Sequence, residues 1–266
     1  MLRKVLRLTR GGKEEHMRRL LGAGGAVLLG AAVIALVGVG FSAQAYSSPR
    51  GVQKATSLGT DMTCGKALPH VTLSFATYAD ASGTNDAGQQ VHPGGNPSWP
   101  SYGPTNIFQA PAHACVTMHI TQYDSGGSLN NPVFAKVQGT IGDTESVVSS
   151  GNSVSGCDGT SPLTYDGTPI SAIQPCDVGH TFSLRGLPGI APGFFVNVPL
   201  PLAGNAAGDN VGDLNSDAHQ TVTFSFIAGP KGTYAWNCEY PCGLSVAGFG
   251  AVMGAYGYMS GYLHVV

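Results

Sequence analysis

The chain has 266 residues, enough for a membrane segment and one generous domain with a sizeable core. Charged residues are only 11% of it while glycines number 39 and prolines 17, a balance that suits short strands joined by turns and speaks against surface helices. The net charge of −2 conceals an asymmetry: seven of the thirteen Lys and Arg residues lie between Arg3 and Arg19, and from Tyr46 onward six basic side chains face thirteen acidic ones. An acidic folded part argues against nucleic acid as a partner; it serves solubility or docking to a basic protein.

The N-terminal residues 1–19 form a basic segment, and the 26 residues from Leu20 to Ala45 carry no charge. An uncharged run after Arg18-Arg19 predicts a membrane crossing with the N-terminus inside and the remainder outside. Ala43-Gln44-Ala45 also has the form of a signal-peptidase site, so cleavage and secretion stand beside a single-pass anchor as the alternative. Either route delivers the rest of the chain to an oxidising compartment. There the six cysteines, Cys64, Cys115, Cys157, Cys176, Cys238 and Cys242, are free to pair. Fifteen connectivities are open; Cys64 with Cys115 and Cys157 with Cys176 are the economical pairs if the last two cysteines do something else.

Residues 46–60 read as a Ser-, Thr- and Gly-rich linker, and the domain is expected to run from 61 to 266. Val71, Leu73 and Phe75 alternate with Thr72, Ser74 and Ala76. Val116, Met118 and Ile120 alternate with Thr117, His119 and Thr121. Both runs predict half-buried strands. Ala79 to Ala114 and Ser146 to Gln174 are rich in Gly, Pro and Asn and read as long loop insertions. Further strands are predicted over His180–Leu184, Thr221–Ile227, Thr233–Cys238 and Tyr258–Val266. The fold class is therefore all-β, a Greek-key sandwich with long loops. The sequence contains no phosphate-binding glycine signature, no His-Glu-x-x-His and no Gly-x-Ser-x-Gly elbow.

Alternation assigns each chemically interesting side chain to a face. His180 shares a face with Phe182 and Leu184, Cys238 with Tyr234 and Trp236, and Met259 with Gly261, Leu263 and Val265, so all three point to the apolar side. His264 takes the opposite face from Met259. A thiolate, an imidazole and a thioether converging at one end of a sandwich suit copper in an electron-carrying role.

The run His180-Thr181-Phe182, the strand Gly232-Thr233-Tyr234-Ala235-Trp236-Asn237-Cys238 leading to Pro241, and the ending Gly257 to Val265 resemble the cupredoxin pattern. The likeness covers about the last ninety residues well and Val116 to Asp124 loosely. It implies a copper cofactor held by His180, Cys238 and Met259. Where the family has Cys-x-x-Pro-Gly-His, this chain has Cys238-Glu239-Tyr240-Pro241-Cys242-Gly243, and no His occurs between Cys238 and Met259. Cys242 or a distant His is then the remaining ligand. Two cysteines four apart followed by Gly also resemble, in part, the dinuclear copper domain of cytochrome oxidase subunit II. That family's His four residues after the second Cys is here Val246.

The resemblance implies a non-enzymatic electron carrier exchanging electrons with a membrane oxidase or a cytochrome. The alternative is a metal-free module with a binding or structural role at the cell surface, closed by a Cys238–Cys242 disulfide.

Overall fold

The side chains that alternate in sequence do so in space because successive Cβ atoms of an extended strand point to opposite faces. A computed structural model describes residues 30–35, 51–84, 88–95, 99–126, 130–204, 218–243, 250–255 and 257–266. The chain divides into two units, Met1–Gln44 and Ala45–Val266. In the first, residues 30–35 are helical; the rest of the predicted anchor and the basic segment lie outside the described residues. Among the described residues no helix is long and apolar enough to cross a membrane.

The second unit contains thirteen strands among its described residues: β1 (Val52–Lys54), β2 (Thr56–Asp61), β3 (Leu68–Tyr78), β4 (Ser101–Gly103), β5 (Ile107–Ala110), β6 (Cys115–Gln122), β7 (Glu145–Ser150), β8 (Asp166–Ile170), β9 (Val178–Gly186), β10 (Phe195–Pro201), β11 (His219–Ile227), β12 (Gly232–Asn237) and β13 (Ser260–Val265). They form two mixed sheets. One has the order β1-β5-β13-β12-β9-β10. The other runs β2-β3-β6-β11-β7-β8, with β4 beside β3. The order is not sequential because the chain passes repeatedly between sheets, and such crossings make parallel neighbours of β3 with β6 and of β5 with β13. The all-β sandwich expected from the sequence is the architecture observed.

The core is aromatic where the sheets face each other. Phe75 of β3 lies 4.6 Å from Phe108 of β5 and 5.8 Å from Phe182 of β9, while Trp236 of β12 lies 5.2 Å from Phe182 and 4.8 Å, edge-on, from Tyr102 of β4. Trp236 also donates its indole N–H to the Asn106 carbonyl at 3.1 Å, so its one polar atom is satisfied.

Two expectations are corrected. Residues 51–60 are not a linker, for they hold β1 and most of β2. The edge strand β2 is tied inward by a polar chain: Asp61 Oδ2 to His70 Nδ1 at 2.5 Å, His70 Nε2 to Thr117 Oγ1 at 2.8 Å, and Thr117 to Ser225 at 2.7 Å. The stretches taken as insertions contain β4, β5, most of β7 and all of β8, and β5 is an interior strand with Phe108 fully buried. β10 carries Pro199 and Pro201, which weakens any strand reading, yet it sits at a sheet edge where a missing N–H breaks no second ladder.

Two disulfides close the unit as the economical pairing anticipates. Cys64–Cys115 ties the β2–β3 turn to the start of β6, and Cys157–Cys176 ties a loop to the turn Pro175–Asp177 that leads into β9.

Candidate metal centre

His180, Cys238 and Met259 arrive at one end of the sandwich on three adjacent parts of one sheet. β9 carries His180 near its start, Cys238 follows the last residue of β12, and Met259 precedes the first residue of β13. All three are buried, at 1%, 0% and 0% exposure. His264 sits on the other face, where its Nδ1 lies 3.1 Å from Thr233 Oγ1.

Cys242, one of the two options for the remaining ligand, lies beside His180 and Cys238. Nδ1 of His180 lies 3.1 Å from Cys242 Sγ and 3.7 Å from Cys238 Sγ, and the two sulfurs are 3.6 Å apart without a bond between them. All three donor atoms fall within 4.8 Å of one another. Met259 adjoins Cys238 through the backbone: the Cys238 N–H donates to the Met259 carbonyl at 2.8 Å.

The turn that brings Cys242 back is built by its own sequence. Gly243 has φ +75°, a region closed to most side chains, and a Cβ there would lie 2.1 Å from Val252 Cγ2. Across the turn, the Glu239 N–H donates to Thr181 Oγ1 at 2.8 Å, and Glu239 forms an ion pair with Arg185. Gly243 thus permits a short reversal that alternation could not foresee.

Electrostatics favours one thiolate. The Cys238 sulfur accepts the Thr181 and Tyr240 backbone N–H groups, each at 3.4 Å. Burial works against ionisation, but the contacts with Cys242 and His180 and the Thr181 N–H outweigh it and hold the Cys238 thiol well below its ordinary range. Cys242 moves the opposite way, pushed well up by its hydrogen bond to Cys238 and by burial. Burial would depress His180, yet hydrogen bonds and charge from Asp124 and Cys238 raise it to about 10. Asp124, buried too, lies with Oδ2 2.6 Å from His180 Nε2. Sequence reasoning did not single out Asp124; the only signal was its place at the end of the loosely matching stretch after β6.

Two buried sulfurs, an imidazole and a nearby Met are soft donors that suit copper and zinc and are poor partners for oxygen-seeking ions. The residues present therefore fit copper. Among the described residues no second imidazole joins them: His70 and His119 bond to Thr117 and Thr223, and His92 stacks on Tyr258 at 3.9 Å.

No protein-family model matches the chain, and no curated protein matches it. Among solved structures, auracyanin B aligns at 12% identity over 80% of this chain and 97% of its own, with a TM-score of 0.27. Rusticyanin from Thiobacillus ferrooxidans aligns at 14% identity over 74% and 82%, with a TM-score of 0.29.

Proposed function

We propose that this protein is an exported, membrane-anchored, cupredoxin-like electron carrier that holds copper through His180, Cys238, Cys242 and Met259. The observation that carries the reading is the convergence of His180 Nδ1 and the two sulfurs, all buried, within 4.8 Å. Copper in such a site supplies one-electron transfer between its cuprous and cupric states. The protein's part is to keep the donors where they are. Backbone N–H groups of Thr181 and Tyr240 hold the Cys238 sulfur as a thiolate, the Cys238–Met259 backbone bond fixes the β12–β13 junction, and the aromatic layer below excludes water. Little rearrangement is then needed when charge changes, which is what rapid electron exchange requires. A basic redox partner, a membrane oxidase or a cytochrome, matches the acidic domain.

The full-length protein, loaded under reducing conditions and then oxidised, is expected to retain copper and show an intense visible thiolate-to-copper band that Cys238→Ser abolishes. No retained copper would sink the reading. The alternative, a metal-free module with three disulfides, draws on the 3.6 Å between the sulfurs, since a small movement would join them. Thiol counting under denaturing conditions separates the two: two free thiols favour copper, none favours the module.

A further inference from the structure

The reading above treats His180 as a ligand but leaves open what decides which of its nitrogens meets the metal. Asp124 lies in the segment just beyond β6, on the opposite sheet from β9, and its Oδ2 is 2.6 Å from His180 Nε2. An ionised carboxylate accepts hydrogen bonds and donates none, so the nitrogen facing it must carry a proton. The other nitrogen, Nδ1, is the one that faces Cys242 and Cys238.

The contact is built from both sides. The backbone carbonyl of Asp124 accepts the Ala203 N–H at 3.2 Å. Close approach of the two segments depends on Gly126, two residues after Asp124. At Gly126, φ is +62° and a Cβ would lie 2.5 Å from the Gly179 Cα, immediately before His180. A bulkier residue at Gly126 would push the Asp124 segment off the His180 strand.

We propose that Asp124 is a positioning residue of the centre: by holding the Nε2–H of His180 it presents the Nδ1 lone pair to the copper shared with Cys238 and Cys242. This rests on the copper reading. An outer carboxylate of this kind fixes the tautomer and ring orientation of a ligand histidine, makes the ring a stronger donor, and places negative charge beside the ion. It therefore favours the cupric state as well as tighter binding.

The test uses the full-length chain and the variants Asp124→Leu and Asp124→Asn. Competition with a chromogenic Cu(I) chelator should show D124L binding copper about 10–100-fold more weakly, the loss that follows removal of an outer-shell partner. D124N keeps an acceptor for the Nε2–H but loses the charge, so its affinity should fall less while its reduction potential rises. In the diamagnetic Cu(I) protein, ¹⁵N-resolved ring signals should place the proton on Nε2 in wild type and D124N. If D124L does not fold, the potential of D124N decides: an unchanged value overturns the proposal. Unchanged affinity in D124L, or a wild-type ring protonated on Nδ1, also overturns it while leaving the copper reading intact. A wild-type chain that takes up no copper overturns both.

Discussion

Cys238 and Cys242 are four residues apart, both buried and in contact, yet they are driven to opposite protonation. The thiolate belongs at Cys238 because its contacts with Cys242 and His180, and with the Thr181 N–H, outweigh burial, whereas the Cys242 thiol lies 3.3 Å from the Tyr240 carbonyl. Cys238→Ser should therefore abolish the visible band, while Cys242→Ser should keep a band but retain copper at least about tenfold less tightly, a loss that even outer-shell changes produce. Equal behaviour of the two variants would remove the distinction. Glu145 shows the same physics without a partner. It is 2% exposed and neither carboxylate oxygen has a hydrogen bond, so burial raises its pKa well above the ordinary value. A raised carboxyl stays protonated in the folded state after it has ionised in the unfolded one. Its contribution is thus fully present below the unfolded value near 4.5 and is lost as pH rises toward the folded one. Urea unfolding should show Glu145→Gln gaining on wild type from pH 4 to pH 7, and parallel curves would refute this. Alternation showed His180, Cys238 and Met259 to be inward. It showed neither Cys242, which depends on a turn, nor Asp124, which comes from the other sheet.

At the scale of elements, strands with clean alternation were legible and short or proline-bearing ones were not. β3, β6, β11 and β12 fall within a few residues of their predicted spans. β5 has four residues, too few for a period to emerge, and its place between β1 and β13 is set by parallel pairing with chain far away in sequence. The two disulfides act at this scale too. They close separations of 19 and 51 residues. Replacing either pair by serine should lower stability by about 2–5 kcal/mol in denaturant unfolding. Loss of Cys157–Cys176 should additionally weaken copper retention, because that link fixes the turn Pro175–Asp177 just ahead of His180. Copper binding that survives its removal unchanged would show that β9 is positioned by the sheet alone.

For the molecule as a whole, packing and net charge carry separate consequences. Phe182 bridges the sheets, 5.2 Å from Trp236 and 5.8 Å from Phe224, and is fully buried. Phe182→Ala should cost about 3–5 kcal/mol, and a loss under about 1 kcal/mol would mean the core collapses around the gap. The acidic domain predicts that electron exchange with a basic partner slows as salt rises and the screening length falls from about 30 Å at 0.01 M to about 8 Å at 0.15 M. Stopped-flow rates insensitive to salt would rule out a basic partner. By itself the sequence determined the fold class and assigned three donors to the apolar face, because both follow from local periodicity; it offered the two disulfides only as the economical pairing among fifteen, and the structure selected them. Tertiary structure alone decided that Cys242 joins them, that no second imidazole does among the described residues, and that Asp124 backs His180. Those contacts depend on a tight turn and on two sheets meeting, and such distances are set by the packing of the whole sandwich.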